Sequence, residues 1–300
     1  MVLFKSVVAV CLATAALTVA APASDAHSHH HKKHVVPGKY FDHFMVILLE
    51  NENYKDAVAD PYLGNLAKAH KGNLLTDYYA LTHPSQPNYI GIIGGSLFGF
   101  DDDDPKTINE KSIVDILEPK GLTWREYAED YTPGPGGACN TNTSLGDGIY
   151  MRKHNPFISY STVANNITRC QNVVPATQLY KDIADGNLPQ FSFYTPNMND
   201  DGHDTNLTTA SKWVQSFIEP LMKEPKFLQN TAVMITWDEA RVYTIPNQVW
   251  SVIIGDAVKP LAKNSDNTRY DHYSILATIE DNWDLDNLGQ NDVNATVFHW

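Results

Sequence analysis

Short apolar segments that alternate with helical ones constrain the fold of this chain most strongly. Four segments are apolar enough to be buried strands, at residues 43–50, 191–197, 231–240 and 248–255. Amphipathic or helix-like patterns lie between and after them, as in residues 210–224. Strands that alternate with helices predict an α/β fold, a three-layer sandwich around a mostly parallel central sheet.

Polar residues follow three of the predicted strands. In parallel sheets the chemistry collects at the carboxyl ends of the strands. The pairs found there are Glu50–Asn51, His203–Asp204 and Asp238–Glu239. Carboxylates together with an amide oxygen suit a hard or borderline divalent cation, so we expect a metal site at this edge of the sheet.

One serine stands in an unusually constrained segment. The stretch LTHPSQPNYIGIIGGS, residues 81–96, places Ser85 between Pro84 and Pro87. Proline fixes its own backbone angle and restricts the residue before it. A metal beside Ser85 would favour its alkoxide, which makes this serine a candidate nucleophile. The alternative is that the hydroxyl only caps a following helix.

Six motifs in this sequence resemble, in order, those of the phosphoesterase family of secreted acid phosphatases and bacterial phospholipases C. The fungal extracellular acid phosphatases are the nearest likeness. The motifs are ENENY (50–54), THPSQPNYIGIIGG (82–95), RKHNPF (152–157), PNMNDDGHD (196–204), WDEA (237–240) and DHYSILATIED (271–281). The resemblance spans about residues 41–290 and implies an alkaline-phosphatase-like α/β fold.

The resemblance also implies roles for the residues that match these motifs. Ser85 would be the nucleophile, and His203 would assist departure of the leaving group. One divalent metal ion is implied, held by Glu50, Asn51, Ser85, Asp238 and Glu239. Substrate contacts are implied for Asn88, His154, His203 and Asp204.

The resemblance implies a secreted acid phosphatase that hydrolyses small phosphate monoesters through a metal-assisted phosphoserine. A phospholipase C or another phosphodiesterase could use the same site, and a non-catalytic secreted glycoprotein of the cell wall is the alternative of a different class. A Ser-His-Asp lipase or peptidase is disfavoured because the sequence contains no G-x-S-x-G elbow. We expect activity to favour mildly acidic pH, because a histidine that acts as a general acid must be protonated.

The amino terminus predicts export. Residues 1–20 have the layout of a secretory signal peptide, and residues 21–40 form a His-rich segment that we expect to be flexible. Residues 41–300 then form a single phosphoesterase domain. We expect the protein outside the cell or in the cell wall, without stable membrane association. A formal charge of −13 disfavours a nucleic-acid partner.

Cysteines and glycosylation motifs agree with a secretory route. Cys11 falls in the signal peptide, which leaves Cys139 and Cys170 to form one disulfide in an oxidising compartment. Four N-x-S/T motifs predict glycosylation at Asn142, Asn166, Asn206 and Asn294.

Overall fold

The computed structural model describes residues 35–300. The predicted signal peptide, Cys11 and residues 21–34 of the His-rich segment lie outside the described residues. None of the helices within 35–300 has the length and apolar character needed to cross a membrane.

Ten strands are present in residues 35–300, and eight of them form one sheet. The strands are β1 His43–Leu49, β2 Asn73–Tyr79, β3 Trp124–Ala128, β4 Ser144–Leu145, β5 Tyr150–Met151, β6 Val173–Pro175, β7 Phe191–Thr195, β8 Thr231–Trp237, β9 Ser251–Ile254 and β10 Ser265–Asp271. The sheet order is β10-β2-β9-β8-β1-β7-β3-β6, and β4 pairs with β5 in a separate small ribbon.

All strands of the large sheet run in the same direction except β9. β1 pairs in parallel with β7 and β8, and β9 is antiparallel to both β8 and β2. β2 and β8 are therefore parallel to each other across β9. The carboxyl ends of β1, β2, β7 and β8 consequently meet at one edge of the sheet.

Nine α-helices connect these strands within the described residues. They are α1 Tyr54–Ala59, α2 Leu63–Ala69, α3 Ser85–Gly94, α4 Val114–Leu117, α5 Ser161–Ala164, α6 Ile167–Cys170, α7 Gln178–Asp185, α8 Leu207–Leu221 and α9 Tyr273–Trp283. Every residue of β1 and β8 is buried, so both faces of the central sheet are covered. The predicted α/β fold with a mostly parallel sheet is confirmed, and each of the four predicted strand segments contains a strand.

Helix α3 requires glycine where it approaches its neighbour. All ten of its residues are buried. A Cβ on Gly94 would lie 1.9 Å from the hydroxyl oxygen of Tyr160, which donates a hydrogen bond to the Ile90 carbonyl of the same helix. Gly94 therefore lets the buried side chain of Tyr160 pack against α3, which a residue with a Cβ would prevent.

The predicted disulfide between Cys139 and Cys170 is confirmed. It links an irregular segment to the end of α6 across 31 residues of chain. All four asparagines of the predicted glycosylation motifs are exposed, and two of them also cap helices: Asn166 accepts from backbone amides at the start of α6, and Asn206 does so at the start of α8.

We expect the double substitution Cys139→Ser and Cys170→Ser to lower the free energy of unfolding by about 3 kcal/mol, because the open loop gains entropy in the unfolded chain. Urea unfolding with and without reductant measures this. Reductant should destabilise the native protein by a similar amount and leave the double variant unchanged. Two free thiols in the unreduced protein, found by mass mapping, would contradict the bridge.

A carboxyl group is buried on β3, the strand between β7 and the edge strand β6. Glu126 is fully buried, and its Oε1 accepts a 2.6 Å hydrogen bond from Thr195 Oγ1 on β7. Its Oε2 has no hydrogen-bond partner among residues 35–300. Burial raises the pKa of Glu126 well above the ordinary value of 4.5, so the folded protein holds this carboxyl in its neutral form.

This burial makes stability depend on pH. In the unfolded chain Glu126 ionises above its ordinary pKa, whereas in the folded chain it stays protonated. The contribution of Glu126 to the free energy of unfolding is therefore greatest below about pH 4.5. It falls by about 1.4 kcal/mol for each pH unit above that, up to the raised pKa. We expect Glu126→Gln to remove this slope, so that the variant gains stability relative to the native protein as pH rises.

The measurement is the difference in unfolding free energy between Glu126→Gln and the native protein at about pH 4.5 and about pH 7.5. A constant packing cost of the amide cancels in this comparison. Glu110→Gln, at an exposed glutamate, serves as the matched control. Equal pH slopes for the native protein and Glu126→Gln would show that Glu126 ionises normally in the fold.

Candidate active site

The carboxyl edge of the sheet brings the predicted site residues together. Glu50 and Asn51 follow β1, Asp238 and Glu239 follow β8, and Ser85 lies at the end of the loop that leaves β2. The backbone links the first two pairs, because Asn51 N donates to Asp238 Oδ1 at 3.0 Å and Asp238 N donates to the Leu49 carbonyl.

The Ser85 hydroxyl points at the carboxylates. Its Oγ donates a 2.9 Å hydrogen bond to Glu50 Oε2 and lies 3.5 Å from Glu239 Oε1. Helix α3 begins at Ser85 and its N-cap is Pro84; the amide of Gln86 in its first turn donates to Asp103 Oδ1, while the Ser85 hydroxyl is directed at the carboxylates. The alternative that this hydroxyl only caps a helix is therefore wrong for this structure.

Asn88 holds the serine loop in place. Its Oδ1 accepts from the backbone amides of Leu81 and Thr82, and its Nδ2 donates to the carbonyls of Thr82 and Pro84. The side chain is fully buried. Since both ends of its amide are occupied by the loop, this geometry favours positioning of the nucleophile over the predicted contact with substrate.

Glu50, Asp238 and Glu239 form a buried acidic group around Ser85. Burial raises the pKa of Asp238 to about 7, and burial together with the charge of Asp238 raises the pKa of Glu239 to about 9. The pKa of Glu50 is raised well above its ordinary range by burial and then by the charges of Asp238 and Asp201. When ionised, these three carboxyls repel one another, and Lys153 alone supplies less positive charge than is needed to balance them.

The donor set fits a divalent cation. Asp238 Oδ2 is buried and has no hydrogen-bond partner among residues 35–300, so an oxygen with free lone pairs faces this group. Acidic, histidine and cysteine side chains alone do not form a three-ligand metal cluster anywhere in the described part of the chain. The hydroxyl of Ser85 and the side-chain carbonyl of Asn51 add two further oxygens to those of the carboxylates as potential ligands.

Asn51 adopts a strained backbone at this point. Its φ is +57°, in the left-handed region that non-glycine residues seldom adopt, although asparagine tolerates it best. Its Nδ2 donates to Glu50 Oε2 at 3.0 Å. Strain of this kind concentrates at functional sites, where the surrounding structure holds it.

His83 and Glu239 share a short hydrogen bond next to the serine. His83 Nδ1 lies 2.5 Å from Glu239 Oε2, and the imidazole stacks on Tyr243 at 3.8 Å between ring centroids. Burial lowers the pKa of His83, and burial together with the charge of Asp238 raises the pKa of Glu239, so both shifts favour the neutral form of each group.

His154 lies beneath the acidic group. It is 1% exposed and stacks on Tyr89 with 5.1 Å between ring centroids. Its Nε2 is 3.2 Å from Glu50 Oε1, and its Nδ1 is 3.5 Å from Asp201 Oδ2. Burial lowers its pKa well below the ordinary value. The structure thus places His154 against the carboxylates.

His203 stands at the opening of the site. Its Nδ1 bonds Asp204 Oδ1 at 2.8 Å, and its side chain is 29% exposed. Since a carboxylate can only accept, Nδ1 carries the proton and Nε2 is left to act on a ligand. Nε2 is 3.4 Å from Lys153 Nζ. The sequence predicted His203 and Asp204 together, and the structure pairs them.

His272, in the motif DHYSILATIED, makes structural hydrogen bonds. Its Nε2 donates to the Asp238 carbonyl at 2.7 Å, and its Nδ1 accepts from Tyr78 at 2.9 Å. The ring is fully buried, and burial lowers its pKa to about 4. A neutral histidine therefore fixes the backbone of a predicted metal ligand.

Sequence reasoning missed Lys153 and its partner Asp103. Lys153 Nζ bonds Asp103 Oδ2 at 2.9 Å, and Asp103 Oδ1 accepts from Gln86 N at 2.9 Å. Burial acts to lower the pKa of Lys153, but the charge of Glu50 and the bond to Asp103 outweigh it and raise the pKa. Lys153 immediately precedes His154 in the motif RKHNPF, which is the one signal that could have identified it.

Two residues on either side of Glu50 were also missed. Tyr89 donates a 2.6 Å hydrogen bond to Glu50 Oε1, and Glu50 N donates to the Asp201 carbonyl at 3.0 Å. Asp201 Oδ2 is buried without a hydrogen-bond partner in the described part of the chain. Both residues lie inside motifs that the sequence singled out, at positions that had been given no role.

Curated fungal proteins are similar to this chain over most of its length. The chain is 42% identical over 267 residues to a probable acid phosphatase of Kluyveromyces lactis and 40% identical over 269 residues to an acid phosphatase of Aspergillus fumigatus. Each alignment covers 87% of this chain, but only 63% and 59% of those relatives. The chain thus spans less than two thirds of their length.

A more distant relative and two solved structures complete the comparison. A phosphatidylinositol-3-phosphatase of Mycobacterium tuberculosis is 27% identical over 255 residues, covering 83% of this chain and 79% of that protein. A protein of the alkaline phosphatase superfamily from Vibrio parahaemolyticus has a TM-score of 0.57 at 12% identity, covering 86% of this chain and 70% of that one. A phosphonate monoester hydrolase of Agrobacterium radiobacter has a TM-score of 0.51 at 12% identity, covering 81% and 74%.

The structural likeness confirms the alkaline-phosphatase-like fold. The profile of the Phosphoesterase family matches residues 23–286, which include every residue of the acidic group and the serine loop. By this match and by its similarity to the fungal proteins, the chain belongs to the Phosphoesterase family.

Proposed function

We propose that this protein is an acid phosphatase that hydrolyses small phosphate monoesters through a phosphoserine at Ser85, with one divalent metal ion. The observation that carries the proposal is the Ser85 hydroxyl, which is directed at Glu50 and Glu239 from the first residue of a buried helix. The names of the fungal relatives support the same reaction.

In the first step, Ser85 Oγ forms a bond to phosphorus as the bond to the leaving oxygen breaks. The hydroxyl proton leaves toward the carboxylates, since Glu50 Oε2 already accepts it in a 2.9 Å hydrogen bond. Asn88 and the two prolines keep the oxygen in one position, which lowers the entropic cost of in-line attack. Water then hydrolyses the phosphoserine and restores Ser85.

Glu50, Asn51, Ser85, Asp238 and Glu239 would hold the metal. A bound divalent cation would favour the serine alkoxide and neutralise charge on the phosphoryl oxygens. Burial raises the pKa of Glu50, Asp238 and Glu239, and the charge of Asp238 raises the pKa of Glu50 and Glu239 further; a bound cation would favour the ionised forms that burial and this charge disfavour.

Lys153 and His203 would act on the phosphate and the leaving group. Lys153 brings a positive charge to within 3.4 Å of His203 Nε2, where phosphoryl oxygens can be bound. Asp204 accepts from Nδ1 of His203, and when His203 is an imidazolium its Nε2 carries a second proton, which it can deliver to the departing alcohol oxygen; the water that hydrolyses the phosphoserine returns a proton to Nε2. His154 supports this arrangement from below through Glu50.

We further propose that the protein is a secreted glycoprotein, outside the cell or in the cell wall. Four exposed sequons and the disulfide support an oxidising secretory route. The monoesterase is preferred to a phospholipase C or other phosphodiesterase because the relatives named above are phosphatases by name.

We expect Ser85→Ala to lower kcat for an aryl phosphate by at least about a thousandfold, because the covalent route is lost while little packing changes. Phosphate release under steady-state conditions measures it. Ser112→Ala is a matched control, since Ser112 is also fully buried but lies outside the site. It should retain native activity.

Trapping of labelled phosphate tests the intermediate directly. Rapid acid quench followed by peptide mapping should place the label on Ser85. Label on another residue would exclude Ser85 as the nucleophile. Absence of hydrolysis by the native protein on every monoester tried would favour the non-catalytic alternative.

We expect Asp238→Asn to remove metal retention without lowering the stability of the metal-free protein. The substitution deletes a buried carboxylate that repels Glu50 and Glu239, so the chelated variant should unfold at the native temperature or above it. Bound metal after dialysis and the increase in Tm on adding metal are the two readouts. Both should fall in Asp238→Asn.

Asp292→Asn is the matched control for this experiment. Asp292 is likewise buried, and it accepts backbone hydrogen bonds from Leu288 and Gln290 far from the acidic group. This variant should lose stability but keep its metal. A native protein that contains no divalent ion and is indifferent to chelators would contradict the metal site.

A further inference from the structure

An exposed apolar loop stands beside the candidate nucleophile. Seven large hydrophobic side chains are exposed in residues 35–300, and three of them fall within four consecutive positions. Val242 is 38% exposed, Tyr243 59% and Ile245 43%. These three side chains, which we call the apolar rim, lie three to six residues after Glu239 in the chain. Exposure of large apolar side chains at a functional site indicates a surface that is covered by a ligand or partner.

The base of the loop is fixed to the site. Asn247 Nδ2 donates to the Thr82 carbonyl at 2.9 Å, and Asn247 Oδ1 accepts from Ala240 N at 2.8 Å. Val242 N donates to Asn53 Oδ1 at 3.2 Å. The loop is therefore tied to the segment that precedes Ser85 and to the segment that follows Glu50, while its apolar side chains remain exposed.

Tyr243 connects the rim to the reacting serine. One face of its ring stacks on His83 at 3.8 Å between centroids, with an interplanar angle of 23°. Its hydroxyl donates to Glu239 Oε1 at 3.3 Å, and the same oxygen lies 3.5 Å from Ser85 Oγ. The ring is stacked on one face yet Tyr243 is 59% exposed, so much of the ring remains open to solvent close to Ser85.

We propose that the apolar rim is the subsite for the leaving group and that it selects phosphate monoesters of aromatic or apolar alcohols. The inference rests on the proposed monoesterase function and names its substrate class. The leaving oxygen of an ester attacked by Ser85 must depart away from the serine, into space that a nearby side chain can line. An aromatic leaving group would stack on the open face of Tyr243, and Val242 and Ile245 would cover its edge.

The experiment compares 1-naphthyl phosphate with glycerol 2-phosphate, which present the same phosphoryl group on an aromatic and a polar alcohol. We expect Tyr243→Ala to lower the ratio of their kcat/KM values about three- to tenfold, through a higher KM for the naphthyl ester. Tyr243→Phe should restore the native ratio, since it keeps the ring and loses only the hydroxyl. Tyr180→Ala, at a tyrosine of 55% exposure elsewhere, should leave the ratio unchanged.

Inhibition gives a second readout that does not require turnover. Tyr243→Ala should raise the inhibition constant of 1-naphthylphosphonate about three- to tenfold and leave the inhibition constant of methylphosphonate unchanged. The double substitution Val242→Ser and Ile245→Ser should also raise the inhibition constant of 1-naphthylphosphonate. A Tyr243→Ala variant that loses activity equally on both esters would overturn the subsite and make Tyr243 a positioning residue for Glu239.

Two other results would also overturn the proposal and are distinct from each other. Rim substitutions that impair hydrolysis only of phosphatidic acid in phosphatidylcholine vesicles, with the naphthyl ester unaffected, would make the rim a membrane-docking surface. A native protein that releases phosphate from neither soluble ester would instead refute the monoesterase function itself. Glycerol 2-phosphate hydrolysis by the native protein separates the two failures.

Discussion

Repulsion among the buried carboxylates of Glu50, Asp238 and Glu239 is the constraint on which the rest of the site depends. Burial raises the pKa of all three carboxyls, and the charge of Asp238 raises the pKa of Glu50 and of Glu239 further. A flexible loop would relieve such repulsion by moving apart. Here the carboxyls follow β1 and β8, which are adjacent, parallel and buried at every position, so the sheet holds them together.

A layer of neutral hydrogen-bonding groups fixes the charged groups from behind. His272 joins the Asp238 carbonyl to Tyr78, and Tyr89 donates to Glu50. Burial of the rings themselves lowers the pKa of His272 and raises the pKa of Tyr89, so both favour their uncharged forms and add no repulsion of their own. The positive charge of Lys153 enters from the opposite side, where Asp103 anchors it beside the start of α3. Position and charge compensation are thus supplied by different residues.

The sequence was most informative where burial is complete. β1, β7, β8 and β9 are continuous apolar runs, so their positions and the polar pairs after β1 and β8 could be predicted. β10, the edge strand, and β2, its neighbour, were missed because partly exposed strands such as SDNTRYD mix polar and apolar residues.

Lys153 and Asp201 were missed for another reason. Their roles arise from contacts with residues distant in the chain, which no local pattern encodes.

The balance between stability and function explains why such a group can persist. Domains are stable by only about 5–15 kcal/mol, and buried like charges, an unpaired Asp238 oxygen and the left-handed backbone of Asn51 all act against folding. The fold compensates with fully buried strands on both sides of the site. A group that weakens the free protein yet favours binding of a cation is consistent with selection for chemistry, because a structural role alone would be served better by neutral side chains. The burial and charge of the acidic group therefore support the proposed active site on physical grounds, independently of the motifs.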